Sequence, residues 1–205
     1  MSAARWRDDA EDLADWLRPH TGEQAVVAFQ GERGAYGHLA IERLWGARAW
    51  VMPCWSFEDV IGAVRSGKAG YAVLPVHNEI IGEIRGVRAS IARAGLDALG
   101  EVRQAVRHCL LGVPGATLDA VTSAYSHPAA LAQCRAFLSR NRGIVAREAY
   151  DTAGAARDVA ARGNRHEAAI ASEACAARYG LQLLARDIGD REDNITTFAV
   201  VRGAR

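Results

Sequence analysis

Four short apolar runs in this 205-residue chain end abruptly in hydroxyl, amide or imidazole side chains. Val26-Val27-Ala28-Phe29 leads into Gln30-Gly31-Glu32-Arg33-Gly34, and Ala72-Val73-Leu74 leads into Pro75-Val76-His77-Asn78. Val121 to Tyr125 leads into Ser126-His127-Pro128, and Ala168 to Ala171 leads into Ser172-Glu173. Side chains of these types hydrogen-bond carboxylates and move protons. Near the C-terminus, Asn194-Ile195-Thr196-Thr197-Phe198 adds two hydroxyls and an amide. They can donate to a leaving oxygen or a carboxylate, although by spacing alone the signal is weak and the plain reading is a β-rich loop.

Each constellation also has a plain structural reading. The Gly31-Glu32-Arg33-Gly34 turn precedes a helical stretch, and its exposed backbone N–H groups suit an anion. No GK[ST] follows, so it is not a P-loop, and a tight turn accounts for it without a ligand. Ser126 with His127 would suit a serine hydrolase, but the G-x-S-x-G elbow is absent. A polar pocket wall and a helix cap beside a structural histidine both remain open. In Asp151-Thr152-Ala153-Gly154-Ala155-Ala156, N-capping explains Thr152. The small residues behind it would let a carboxylate approach the helix N-terminus.

The elements that must position these groups alternate. The apolar runs read as buried parallel strands. Helical spacing is expected over Ala4–Arg18, Tyr36–Trp45, Ser56–Arg65, Gly82–Ala94, Pro128–Ser139, Asp151–Arg162 and from Ser172 to Gly180. Leu99 to Leu111 reads as one long extended stretch passing between halves of the molecule, and Phe198 to Val201 as a last short strand. The alternation implies a doubly wound α/β architecture, in which ligands bind beyond the carboxyl ends of the strands. No GxGxxG fingerprint or internal repeat is present.

Composition narrows the function classes. A net charge of +1 gives no reason to invoke nucleic acid or an anionic membrane. Cys54, Cys109, Cys134 and Cys175 are widely spaced without a CxxC pair, so buried free thiols are expected rather than disulfides or a metal site. With no signal-peptide core and no bilayer-length apolar run, a cytoplasmic location is the expectation.

Taken together, the segments from about Val26 to Val201 resemble the catalytic domain of the prephenate dehydratases, shared with plant arogenate dehydratases. The resemblance rests on Phe29-Gln30-Gly31 with Gly34-Ala35-Tyr36, Val73-Leu74-Pro75 with Asn78, and His108-Cys109-Leu110-Leu111. It continues through Tyr125-Ser126-His127-Pro128, Ala130 to Cys134, Asp151 to Ala156, Ala168 to Ser172, Tyr179-Gly180-Leu181, and Asn194 with Thr196 and Phe198. It implies two doubly wound α/β lobes around a cleft, like type II periplasmic binding proteins. The first lobe would hold residues 1–102 and 190–205 and the second 103–189. The implied reaction is the decarboxylative dehydration of prephenate to phenylpyruvate in phenylalanine synthesis. Aromatisation drives it, so no metal or organic cofactor is implied. Thr196 falls at the place of the family's catalytic threonine, and Gly34, Asn78, Ser126, His127, Gln133, Thr152, Ser172, Asn194 and Phe198 become substrate-binding candidates. A homodimer or larger homo-oligomer is also implied.

The chain departs from the family's pattern at three places. The arginine after the catalytic threonine is Thr197; Pro-Ile-Glu-Asn-Ser reads Pro75-Val76-His77-Asn78-Glu79; and the serine of the first loop is Gly37. Loss of the arginine together with the glutamate suggests that the two are charge partners across the cleft, since losing one alone strands a charge. The chain stops at Arg205 without a phenylalanine-sensing ACT domain, and inhibition by that route is not expected. Two other readings stay open: a relative that decarboxylates prephenate without dehydration, and a non-catalytic ligand-binding homologue.

Overall fold

The computed structural model describes residues 10–20 and 25–203. The chain runs through α1 (Ala10–His20), β1 (Ala25–Gln30), α2 (Tyr36–Trp45), β2 (Ala49–Cys54), α3 (Phe57–Arg65), β3 (Tyr71–Asn78), β4 (Gly82–Glu83), α4 (Val87–Arg93) and β5 (Asp97–Ala105). It continues with β6 (Cys109–Gly112), β7 (Ser123–Ser126), α5 (Pro128–Ala132), α6 (Arg135–Arg140), β8 (Val145–Glu148) and α7 (Thr152–Arg162). The last elements are β9 (Glu167–Ala171), α8 (Ala174–Tyr179), β10 (Gln182–Ala185) and β11 (Ile195–Arg202). Two compact units result. Unit 1 comprises Met1–Gln30, Tyr36–Ala105 and Ile195–Arg205; unit 2 comprises Gly31–Ala35 and Val106–Asn194.

Unit 1 carries a sheet in the order β2-β1-β3-β11-β5, with β4 paired to β3. β1 is parallel to β2 and β3, whereas β11 runs antiparallel between β3 and β5. Val27, Ala28 and Phe29 are fully buried, which is why β1 reads as a continuous apolar run rather than an alternation. Ala28, Leu74, Val76 and Val201 of the strands meet Val60, Ile61 and Val64 of α3 and Ile91 of α4 in one core. Ser56 starts α3 with a reciprocal capping box: its hydroxyl accepts from Asp59 N, and the Asp59 carboxylate accepts from Ser56 N. Such a cap is worth about 1 kcal/mol.

Unit 2 carries a sheet in the order β10-β6-β9-β7-β8. β7 is parallel to β8 and β9, and β6 is antiparallel to β9 and β10. Its core joins Leu110, Ala124 and Ile170 of the sheet to Leu131 of α5, Phe137 of α6 and Ile144.

The α/β expectation holds, as two mixed sheets, but several elements differ from their sequence reading. Leu99–Leu111 does pass from one unit to the other, but as two strands and not one, β5 in the first sheet and β6 in the second. β11 begins at Ile195, so Thr196 and Thr197 lie inside a strand rather than in a loop. The Pro128–Ser139 helix is split at Gln133-Cys134, where Asp190 caps α6 through Arg135 N and Ala136 N at 3.1 and 2.9 Å. Only Val87–Arg93 of the 82–94 stretch is helical. Strands β2, β8 and β10 have no counterpart in the sequence reading. Residues 4–9 of the Ala4–Arg18 helical stretch lie outside the described residues.

Candidate functional site

In unit 1, Asn78 ends β3 directly opposite Thr196 of β11. Asn78 Nδ2 donates to Thr196 Oγ1 at 2.9 Å, and to Ile195 O at 3.3 Å. Asn78 Oδ1 accepts from Ile80 N and Ile81 N at 3.0 and 3.2 Å. Those two backbone donors settle which end of the amide faces the threonine. Thr196 Oγ1 is thereby an acceptor toward Asn78, and its own proton is left to donate elsewhere. Both residues are largely buried, where a hydrogen bond counts for more than in water. Phe198 is 4% exposed and has its ring 3.5 Å from the position a Cβ on Gly37 would take, so it is a packing residue.

The adjacent row of the same sheet lies on the opposite face, because side chains alternate along a strand. Glu83 pairs with His77, His77 with Thr197, and Thr197 with Arg103. The positions that lack the family's glutamate and arginine are therefore cross-strand neighbours in one sheet, not partners across a cleft. Arg103 reaches Glu79 at 3.0 Å, and Arg88 reaches Glu101 at 2.7 Å. These residues line a surface depression of about 380 Å³.

In unit 2, the break between α5 and α6 directs Gln133 to two donors. Gln133 Oε1 accepts from Asn194 Nδ2 at 3.0 Å and lies 2.8 Å from His108 Nε2. With Oε1 as the shared acceptor, His108 carries its proton on Nε2 and the Gln133 NH₂ group is turned away from both. Burial holds the His108 pKa below the usual histidine value, against the opposing pull of its Gln133 bond, so the ring is neutral at pH 7. His108 was not among the site residues expected from sequence; its only signal was the His108-Cys109 pair ahead of an apolar run.

The two candidate serines of unit 2, Ser126 and Ser172, use their protons on backbone carbonyls. Ser126 Oγ donates to Ile170 O at 2.6 Å, tying β7 to β9, and Ser172 Oγ donates to Gly34 O at 2.7 Å. Ser172 does not cap α8, whose N-cap position is Glu173 without a side-chain bond. Toward a ligand, each serine oxygen retains acceptor capacity only. His127 is the residue that caps α5, its Nδ1 accepting from Ala129 N at 3.2 Å. Gly34 has φ +98°, and a Cβ there would lie 2.8 Å from Cys175 Sγ, so the turn admits glycine alone.

The N-terminus of α7 is closed by its own cap. Asp151 Oδ2 accepts from Gly154 N at 2.9 Å and from Glu32 N at 3.0 Å, and Thr152 N also bonds this carboxylate. Burial raises the Asp151 pKa, and these three N–H bonds oppose the shift. The small Gly154 makes room for the Tyr150 ring, which would lie 2.6 Å from a Cβ at that position. Tyr150 in turn donates to Glu32 Oε1 at 2.7 Å. The backbone amides read as a carboxylate cradle are thus engaged by Asp151. The Thr152 hydroxyl makes no hydrogen bond among the described residues.

Thiol chemistry is disfavoured. Cys109, Cys134 and Cys175 are buried free thiols, and burial pushes Cys134 up to about 12 and Cys175 up to about 11. Among the described residues, no group of three or more His, Cys, Asp or Glu side chains could hold a metal ion. No helix among them is long and apolar enough to cross a membrane.

Two mixed α/β units, one presenting a threonine hydroxyl from a strand and the other a shared-acceptor amide network, define the class of protein. The family profile described as prephenate dehydratase matches residues 27–205, and the chain belongs to that family. It is 39% identical over 180 residues to arogenate dehydratase/prephenate dehydratase 2 of Arabidopsis thaliana, covering 88% of this chain and 47% of that protein. It is 37% identical over 178 residues to a bifunctional N-acyl-homoserine lactone acylase/prephenate dehydratase of Komagataeibacter europaeus, covering 86% and 62%. The crystal structure of prephenate dehydratase from Arthrobacter aurescens in complex with L-Phe superposes with a TM-score of 0.77 at 27% identity, covering 88% of this chain and 61% of that one. The chain thus spans less than two thirds of the length of each of these relatives.

Proposed function

We propose that this chain is a carbon–oxygen lyase that converts prephenate to phenylpyruvate in phenylalanine biosynthesis. The observation that carries the reading is the Asn78–Thr196 hydrogen bond. In the reaction the bond from the ring to its carboxylate breaks and leaves CO₂. Its electron pair enters the ring as the C4–oxygen bond breaks, and the departing hydroxide takes up one proton to become water. Threonine is a weak acid, so its help is positional and electrostatic: a hydroxyl proton aimed at an oxygen that gains charge. Asn78 supplies the aim by donating into the same oxygen from behind.

The substrate's carboxylates need donors. The Gln133 NH₂ group, oriented by His108 and Asn194, and the Thr152 hydroxyl are assigned that role, with His127 Nε2 as a further donor. Ser172 and Gly34 act together by fixing the first turn to the end of β9, and Ser126 acts by tying β7 to β9. Phe198, two residues beyond Thr196 in the same strand, acts by packing against α2 at Gly37. A cytoplasmic homodimer is part of the proposal; exposed Trp50 and Trp55 around edge strand β2 supply apolar surface for a second copy.

Incubation of the purified protein with prephenate at mildly alkaline pH tests the reading, with products resolved by chromatography and spontaneous acid conversion subtracted. Enzymatic phenylpyruvate is the expected result. Arogenate is assayed beside it, because the Arabidopsis relative carries both names. A non-aromatic decarboxylated product would overturn the dehydration step, and tight binding without turnover would overturn the enzyme assignment.

A further inference from the structure

Arg103 and Glu79 span the strand that carries Thr196. Arg103 sits on β5, β11 lies between, and Glu79 is the first residue beyond β3. Two strand spacings, about 10 Å, separate the outer backbones, within reach of an extended arginine and glutamate together. The guanidinium meets the carboxylate at 3.0 Å on the face where Thr197 stands. A short side chain at 197 leaves that path open. Each end of the bridge is also tied through backbone: Glu79 N donates to Ile195 O at 3.0 Å, and Arg43 Nη1 donates to Arg103 O at 2.8 Å. The turn gripped in this way, Asn78 to Ile81, is the one whose amides orient the Asn78 side chain.

We propose that the Arg103–Glu79 pair is a clamp that positions Asn78, and through it the Thr196 hydroxyl, for proton donation. The proposal rests on the dehydratase reading. Arg103 and Glu79 are positioning residues, on the face of the sheet opposite to Thr196. An acid at 77 and an arginine at 197, as in the sequence pattern of the family, would stand directly opposite each other on β3 and β11. Here the charge pair runs instead from β5 to the residue after β3, across β11 on the side where Thr197 stands.

Steady-state kinetics on prephenate with Arg103→Gln, Glu79→Gln and the double variant test the clamp. Because the pair is largely exposed, each single change is expected to lower kcat about three- to fivefold. KM should stay within about twofold, and the double variant should be no worse than either single. Adding His77→Glu with Thr197→Arg to the double variant should recover kcat by rebuilding a charge pair across β3 and β11. Unchanged kcat in the singles, additive losses, or losses confined to KM would overturn the clamp. Hydrogen exchange at the Ile80 and Ile81 amides gives a readout that needs no turnover. Faster exchange in both singles supports the clamp even for a protein inactive on prephenate, whereas unchanged exchange overturns it whatever the activity.

Discussion

Asn78 Nδ2 stands 2.9 Å behind Thr196 Oγ1, and the same asparagine's Oδ1 is held by two backbone amides of the following turn. The arrangement makes the direction of the threonine proton a property of the turn. Asn78→Asp replaces the donor by an acceptor and would draw the Thr196 proton backward. The expected outcome is a loss in kcat of about 10²-fold with a near-normal circular dichroism spectrum. Asn78→Asp with wild-type kcat would show that Asn78 does not set this direction.

The His108–Gln133–Asn194 network should leave a signature in stability against pH. Burial lowers the folded His108 pKa below its ordinary 6.5. Between the folded value and 6.5 the unfolded chain binds more protons, so stability rises with pH. The contribution is fully present above 6.5 and is lost as pH falls through the folded value. His108→Gln keeps an amide donor but cannot titrate, so Tm should fall less steeply below pH 6.5 in the variant than in wild type. Parallel Tm profiles on that acid limb would contradict a buried neutral imidazole.

Gly34 and Gly37 are three residues apart and should respond oppositely. Gly34→Ala meets both the positive φ and the Cys175 sulfur at 2.8 Å, and is expected to cost about 2–4 kcal/mol in denaturant unfolding. Gly37→Ser, which restores the family's serine, adds a Cβ that meets nothing closer than 3.5 Å, and the position lies in α2. Its stability should fall within about 0.5 kcal/mol of wild type. A tolerated Gly34→Ala would mean that the turn opens more easily than its contacts indicate.

The cap of α7 supplies a further check. Asp151→Ala frees the amides of Thr152 and Gly154 and unties Glu32, and should lower stability by about 1–2 kcal/mol. Asp151→Asn keeps one acceptor oxygen for Gly154 N and Glu32 N and should cost less. Equal losses in calorimetry would contradict a capping role carried by the hydrogen bonds.

The buried strands β1, β3 and β9 were legible because they are apolar on both faces, and their polar ends, with that of the short β7, marked the candidate residues. The edge strands were not. β8 is exposed at all four residues, and β2 places Trp50 and Pro53 toward solvent, so neither shows a buried strand's pattern. Residue types announced Thr196 and Asn78, but their pairing depends on register, which only the closed sheet provides. The serines misled for a related reason: a hydroxyl looks free in sequence, whereas Ser126 and Ser172 each donate to a carbonyl 44 or 138 residues away. Likewise, small residues behind Thr152 suggested room for a ligand, and Tyr150 fills the space beside Gly154.

The most direct test of the account is the turnover of prephenate by Thr196→Ala beside Thr196→Ser and wild type. The account predicts phenylpyruvate from wild type, a fall in kcat of about 10²–10³-fold in the alanine variant, and recovery of most of that loss by serine, which restores the hydroxyl. Wild-type kcat in Thr196→Ala would contradict the central claim that the Thr196 hydroxyl assists the departure of the C4 oxygen.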